Sequence, residues 1–184
     1  MDAAVCPYCG AAFIVEKAVN NYNTTNHINA GPVNAYGGSS ADFAVRGGVL
    51  EKYNGAATEV VIPDSVKIIG DSAFSGCKGI TSVVIPDSVK EIGRYAFNNC
   101  AELESVTMAN SVQKIGYCAF RDCRSLTALT IPDSVREIDN DAFAGCSALT
   151  SLTIGADDSV RLLRFSVRFP YSAQCQLQLR IWKP

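Results

Sequence analysis

A 23-residue repeat constrains the fold of this 184-residue chain more than any other feature of its sequence. Four copies follow one another between residues 61 and 152 without insertion or deletion. A fixed period of roughly 20 to 50 residues is typical of solenoids, because one such unit cannot bury its apolar face alone. The repeat therefore predicts a right-handed stack of coils over residues 61–155. The positions that recur most strictly are Phe74, Phe97, Phe120 and Phe143, and Cys77, Cys100, Cys123 and Cys146.

Each copy contains an alternating apolar and polar run that predicts one strand. Where the second copy meets the third, Leu103, Val106 and Met108 should point inward, and the polar residues between them should point outward. Strands of successive copies should pair in parallel, about 4.8 Å apart.

The rest of each copy predicts turns. A Pro-Asp-Ser turn follows the strand, and a Val-x-x-Ile-Gly run comes next. Its glycine, as in Gly70 and Gly93, is predicted to need a positive φ, a region that Asp139 can also occupy in the fourth copy. The Ala-Phe-x-x-Cys segment is predicted to form one short helical turn.

The consensus I-P-x-S-V-x-x-I-G-x-x-A-F-x-x-C resembles the BspA-type leucine-rich repeat over about half of the chain. The resemblance implies a curved solenoid that is mainly β with short helical turns. It also implies repeats without a catalytic role, in a family whose members are often binding modules on bacterial surfaces.

The flanks of the repeat predict caps. Residues 42–60 alternate around Gly47 and Gly48, which predicts a β-hairpin covering the first coil. In residues 156–184 the repeat breaks down into an irregular C-terminal cap or tail, in which alternation over 176–181 favours a capping strand. No acid follows Asp158 in this tail, so a basic patch for an acidic partner is the alternative interpretation.

Residues 1–15 contain the knuckle Cys6-Pro7-Tyr8-Cys9-Gly10, which resembles the second half of a zinc ribbon. A structural zinc site needs four ligands, so Cys6 and Cys9 supply only half of one. Two chains could pool these thiolates in a zinc-bridged homodimer; otherwise they are free surface thiols. The tetrapeptide is also similar to the active site of glutaredoxins, but that use needs a preceding strand, which is not expected before Cys6.

Residues 16–41 are rich in Asn, Thr, Gly and Ser and predict a flexible linker. A net charge of −2 gives no general attraction to nucleic acid. No apolar run is long enough for a membrane span. The first residues lack a secretory signal, so the chain as given is expected in the cytoplasm, although members of the similar family are often at the cell surface.

The repeated cysteines are predicted to stack as buried, free thiols, because parallel side chains leave their Cβ atoms too far apart for disulfides. Cys118 falls outside this series and is predicted to be an exposed surface thiol.

A single histidine and the lack of a Ser-His-Asp set or a phosphate-binding glycine loop argue against an enzyme. The chain is predicted to be a scaffold that binds a protein or a glycan through outward strand positions. Alternatives are a zinc-linked homodimeric module and a fragment of a surface adhesin. Threonine is also a good strand former, which would explain these positions without a ligand. The predicted binding positions are Glu104, Thr107, Thr127, Thr130, Thr150 and Thr153.

Overall fold

The computed structural model describes residues 4–5, 12–13, 40–154 and 178–181. The repeats form a β-solenoid of about five turns with 23-residue spacing and almost no helix, as predicted. One short 3-10 helix, Ser40–Asp42, precedes the solenoid. The strands are β1 (Ala4–Val5), β2 (Ala12–Phe13), β3 (Phe43–Arg46), β4 (Val49–Tyr53), β5 (Glu59–Val61), β6 (Ile68–Ile69), β7 (Ser82–Ile85), β8 (Glu91–Ile92), β9 (Ser105–Met108), β10 (Lys114–Ile115), β11 (Ala128–Ile131), β12 (Glu137–Ile138), β13 (Ser151–Ile154) and β14 (Gln178–Ile181).

Two parallel ladders run along the solenoid. The long-strand ladder contains β5, β7 and β9 in one sheet and β11, β13 and β14 in the next, with β9 and β11 in contact. The short-strand ladder contains β6, β8, β10 and β12. Partners within the repeats lie 23 residues apart, as in Val83 with Val106 and Ile69 with Ile92. The predicted parallel pairing is confirmed.

The Ala-Phe-x-x-Cys segments form a third, turn-rich side of each coil. Some amides close local turns of the 3-10 type, as where Ala73 N–H donates to the Gly70 carbonyl at 3.2 Å. The amides between them bind the next coil, as where Phe74 N–H donates to the Ala96 carbonyl at 2.7 Å. Because alternate amides leave the coil, no continuous helix can form.

The prediction that the glycine of the Val-x-x-Ile-Gly run has a positive φ was wrong. Positive φ does not occur at Gly70 or Gly93, but two positions later in each coil, in a series that contains no glycine: Ser72, Tyr95, Cys118 and Asp141, with φ from 53° to 58°. A second series in the same region is Gly76, Asn99, Asp122 and Gly145. Glycine at position 93 instead avoids a close contact, since a Cβ there would lie 2.9 Å from the Gly70 carbonyl carbon.

Aromatic rings stack through the core. Phe74, Phe97, Phe120 and Phe143 are fully buried, with successive ring centroids 4.8, 5.0 and 5.7 Å apart and nearly parallel planes. The stack is surrounded by buried valine, isoleucine and leucine from every coil. Neighbouring coils therefore bury each other's apolar faces.

The predicted N-terminal hairpin is present and closes one end of the core. Strands β3 and β4 pair antiparallel around Gly47 and Gly48, and β4 continues the short-strand ladder by pairing in parallel with β6. Leu50 and Tyr53 are buried, and the Tyr53 ring lies 5.0 Å from that of Phe74. The first coil therefore does not expose its apolar face.

At the other end, β14 pairs in parallel with β13, which agrees with the capping strand predicted from the alternation. Apart from β14, the predicted tail from residue 156 lies outside the described residues. The predicted linker also lies outside them, except for Ser40 and Ala41, which begin the 3-10 helix.

The N-terminal strands β1 and β2 pair antiparallel, with Val5 opposite Ala12. Cys6 and Cys9 lie outside the described residues, in the segment that connects these strands. A strand does precede Cys6, contrary to the expectation used against a redox role. The next described element is an antiparallel strand, whereas the glutaredoxin site requires a helix after the motif.

Candidate binding face

The outer side of the long-strand ladder presents side chains from five coils in register. In β9, Val106 is buried whereas Ser105 and Thr107 are exposed, because successive residues of a strand point to opposite sides. We call the outward side of β5, β7, β9, β11 and β13, with the residue before each strand, the strand face. Its three columns are Thr58, Thr81, Glu104, Thr127 and Thr150; Glu59, Ser82, Ser105, Ala128 and Ser151; and Val61, Val84, Thr107, Thr130 and Thr153.

The structure brings all six predicted binding positions onto this face. Five of them are exposed, and Thr153 is half-buried. Their role in binding stays a prediction. The five exposed positions are Glu104, Thr107, Thr127, Thr130 and Thr150.

Some threonine hydroxyls already form hydrogen bonds to the backbone of the preceding coil. Thr81 Oγ1 donates to the Thr58 carbonyl at 3.2 Å, and Thr150 Oγ1 donates to the Thr127 carbonyl at 3.3 Å. Within the described residues the hydroxyls of Thr107 and Thr130 form no hydrogen bond, so their donors face solvent. In the third column, two threonine hydroxyls therefore stay outside the hydrogen bonding of the ladder.

Two valines on the same face were missed by sequence reasoning. Val61 is 39% exposed and Val84 is 38% exposed. They align with Thr107 at the 23-residue period, so comparing the copies position by position could have found them. The third column of the strand face is thus apolar in its first two coils and carries threonine hydroxyls in the next three.

The charge of the strand face is slightly negative. Glu59 and Glu104 are its charged residues, and none of the residues that define it is a lysine or arginine. A partner that carries dense negative charge would be repelled from this side.

The cysteine ladder lies in the core, as predicted. Cys100, Cys123 and Cys146 are buried, and all three thiols donate to phenylalanine carbonyls in the preceding coil, at 3.0 to 3.2 Å. Cys77 is partly exposed, and the described cysteines are free thiols. Burial raises the pKa of Cys100 to about 12, and the hydrogen bond with Cys146 raises the pKa of Cys123. These thiols are inert packing groups at neutral pH.

The prediction that Cys118 is exposed was wrong. Its side chain is fully buried, and Arg121 Nη1 lies 3.9 Å from its sulfur. A hydrogen bond with Cys118 also raises the pKa of Tyr117 to about 12. The neighbouring arginine and tyrosine cover the thiol, which alignment with the exposed Ser72 and Tyr95 could not reveal.

The described residues contain no group of three or more His, Cys, Asp or Glu side chains that could hold a metal ion. Since Cys6 and Cys9 are not among them, the predicted zinc half site is untested. In the part of the chain that the structure describes, no helix has the length and apolar character needed to cross a membrane.

Comparison with known structures returns proteins of the same architecture. A leucine-rich cell surface protein from Faecalibacterium prausnitzii is 29% identical with a TM-score of 0.66, over 74% of this chain and 35% of that protein. A leucine-rich repeat protein from Bacteroides capillosus is 33% identical with a TM-score of 0.54, over 58% of this chain and 85% of its own. The pneumococcal vaccine antigen PcpA is 25% identical with a TM-score of 0.56, over 58% of this chain and 27% of that one.

The chain thus spans about a third of the Faecalibacterium protein. None of the curated proteins matches the chain. The sequence family described as BspA type leucine rich repeat region matches residues 52–164, in six copies. This match covers more than half of the sequence and agrees with the solenoid observed. The chain belongs to the BspA-type leucine-rich repeat family.

Proposed function

We propose that this chain is a non-enzymatic scaffold whose strand face binds a protein or a glycan. The observation that carries the proposal is the outward face of two adjoining sheets, on which exposed side chains from five coils recur every 23 residues. Repeat proteins commonly bind through such extended surfaces. The repeat family and its surface-protein relatives support the same role.

The composition of the strand face indicates the contacts that a partner would make. Thr107 and Thr130 offer free hydroxyls, which can both donate and accept hydrogen bonds. Val61 and Val84 offer apolar contact, and Glu104 offers a carboxylate. These groups suit a neutral or cationic partner surface.

Charged substitutions on the face test the proposal. Thr107→Arg and Thr130→Arg place long cationic side chains where the partner would lie and should reduce its binding at least tenfold. Binding would be measured on a glycan array and against proteins from the host or source cell. Arg124→Gln, at an exposed turn position away from the strand face, is the control. Wild-type binding by both threonine variants would overturn the assignment.

A zinc-bridged homodimer is a second candidate. It is supported by the antiparallel pairing of β1 and β2, since Cys6 and Cys9 lie on the short connection between two paired strands. Two thiolates from each of two chains would complete a tetrahedral site. The strand faces of two solenoids would then be presented together.

Zinc content and solution mass, measured together under reducing conditions, test this second candidate. We expect one zinc ion per two chains and the mass of a dimer. Both should be lost in the Cys6→Ser variant and on chelation. A zinc-free monomer, or a dimer that survives Cys6→Ser, would exclude the zinc bridge.

A location at the cell surface is a further candidate, as part of an adhesin. Its support is the similarity to a leucine-rich cell surface protein, of which this chain spans about a third. Membrane-impermeant biotin labelling of intact source cells should then modify the protein. Recovery of unlabelled protein in the cytoplasmic fraction would contradict the surface location.

A further inference from the structure

A second candidate surface lies on the outer side of the short-strand ladder. The second residue of each short strand is buried, so the first residue points outward. An open depression of about 360 Å³ lies here across consecutive coils. We call it the cationic groove and define it by Lys90, Glu91, Gln113, Lys114, Arg136 and Glu137.

Backbone pairing aligns the side chains of the groove in two rows. In one row, Gln113 N–H donates to the Lys90 carbonyl and Arg136 N–H donates to the Gln113 carbonyl, both at 2.8 Å. In the other row, Lys114 stands in register between Glu91 and Glu137. Successive coils therefore place these groups about 4.8 Å apart.

Cationic groups outnumber carboxylates along this surface. Lys90, Lys114 and Arg136 face Glu91 and Glu137, and Lys67 extends the first row by one coil. The strand face, by contrast, carries two carboxylates and no cation among its defining residues. The two outer sides of the solenoid therefore suit partners of opposite charge.

Two lysines are available to a ligand. Within the described residues Lys90 forms no ion pair. Lys114 Nζ lies 3.4 Å from Glu137 Oε1, but both side chains are more than a third exposed. An exposed ion pair of this kind contributes little and is readily exchanged for a ligand anion.

We infer that the cationic groove binds an acidic saccharide through these lysines. The sugar carboxylates would pair with Lys90 and Lys114, while Glu91 and Glu137 accept hydrogen bonds from sugar hydroxyls. The Gln113 amide can serve as both donor and acceptor. The volume of about 360 Å³ lies at the small end of the usual range for ligand pockets, which fits one or two sugar rings.

The two carboxylates distinguish this ligand from a nucleic acid. A DNA strand carries a phosphate on every nucleotide and no hydroxyl groups along its backbone, so Glu91 and Glu137 would repel it without accepting a hydrogen bond in return. An acidic saccharide also carries closely spaced anions, but its rings donate hydroxyl hydrogen bonds beside them. The groove thus matches alternating anionic and hydroxyl groups, and the inference does not depend on the strand face.

Trigalacturonic acid is the probe. Its fully methylated ester has the same sugar rings without the negative charges and is the control ligand. Titration calorimetry and amide chemical shifts should show binding of the acid at the groove and at least tenfold weaker binding of the ester. Lys90→Gln should weaken binding of the acid about fivefold or more. Lys78→Gln removes the same charge from an exposed loop position outside the groove and should bind like the wild type.

Glu91→Leu separates the two ligand classes. It removes both carboxylate acceptors and should weaken trigalacturonic acid, whose hydroxyls lose their partner. It should strengthen a single-stranded DNA hexanucleotide, which has no backbone hydroxyls to lose and is no longer repelled. Tighter binding of the hexanucleotide than of trigalacturonic acid to the wild type would overturn the inference. Equal binding by Lys90→Gln and Lys78→Gln, or no binding of the acid, would overturn it as well.

Discussion

Neighbouring coils approach each other closely at single glycines. A Cβ on Gly93 would lie 2.9 Å from the Gly70 carbonyl carbon and 2.9 Å from the Asp71 nitrogen. A Cβ on Gly116 would meet the Gly93 carbonyl carbon at 2.8 Å. These obstacles are backbone atoms, so a Cβ at Gly93 or Gly116 fits only if the neighbouring coil shifts. Asp139 occupies the equivalent position in the fourth copy.

Alanine at two different glycines separates packing from backbone strain. Gly93→Ala should lower the free energy of unfolding by about 3 kcal/mol, since overpacking against backbone is at the costly end of its range. Gly76→Ala should cost only about 1 kcal/mol, because a Cβ there meets nothing within 4 Å and only its φ of +71° is unfavourable. Urea unfolding measures both. Equal costs would contradict the packing explanation.

The buried thiols make stability depend on alkaline pH. Burial raises the pKa of Cys100 from 9.0 to about 12, so the folded state holds a proton that the unfolded state has lost between these values. The free energy of unfolding should be constant below pH 9 and then fall by up to about 1.4 kcal/mol per pH unit for this group.

The Cys100→Ala variant should show a shallower decline between pH 9 and pH 11 in urea unfolding under reducing conditions. Cys77→Ala is the control, because this thiol is partly exposed and burial raises its pKa less than that of Cys100. An identical pH slope for wild type and Cys100→Ala would contradict the assignment of the effect to this thiol.

At the scale of elements, each coil contributes one ring to the core stack. Phe97 lies between Phe74 and Phe120, at centroid distances of 4.8 and 5.0 Å. Phe143 has one described aromatic neighbour, Phe120, at 5.7 Å. The stack therefore links the coils unequally, most tightly in the middle.

Leucine substitution tests the contribution of the stack. Phe97→Leu should cost roughly twice as much as Phe143→Leu, since it loses ring contacts on two sides and each is worth about 0.5–1.5 kcal/mol. Both variants keep a large apolar side chain, so differences in burial are minimised. Thermal and urea unfolding would measure the two costs. A larger cost at Phe143 would show that the rings act only by filling space.

At the scale of the whole molecule, coils contact only their neighbours, so the solenoid should open from its ends. The N-terminal hairpin delays this opening because Tyr53 covers the Phe74 ring. Tyr53→Ala should increase hydrogen exchange at the Phe74 amide much more than at the Phe120 amide. Amide exchange followed by NMR measures this difference, and a uniform increase at both amides would indicate all-or-none opening instead.

The repeat alone was sufficient to predict several particulars. The burial of Phe97 and Cys100, the outward direction of Thr107 and the pairing of strands 23 residues apart all follow from periodicity. Periodicity works here because equivalent residues of a solenoid occupy equivalent environments. The six binding positions were placed on one face in the same way, although their ligand was not.

Other features escaped sequence reasoning because they depend on one coil's particular neighbours. Cys118 is buried because Arg121 and Tyr117 cover it, while its equivalents Ser72 and Tyr95 are exposed. The backbone at these positions is left-handed, although none of them is a glycine. The local propensities of serine and tyrosine do not predict it; hydrogen bonding to the next coil holds it in place.

The sequence by itself determined the coil length, the inward residues and the N-terminal hairpin, since each depends on local periodicity and turn chemistry. Only the tertiary structure decided at which glycines an added Cβ would collide with a neighbouring coil. It also decided which thiol is covered and where lysines and carboxylates line one groove. Those outcomes depend on stacking separate coils a few ångströms apart. Residues from different copies then become neighbours, and their distances, not their order in the chain, set packing and charge.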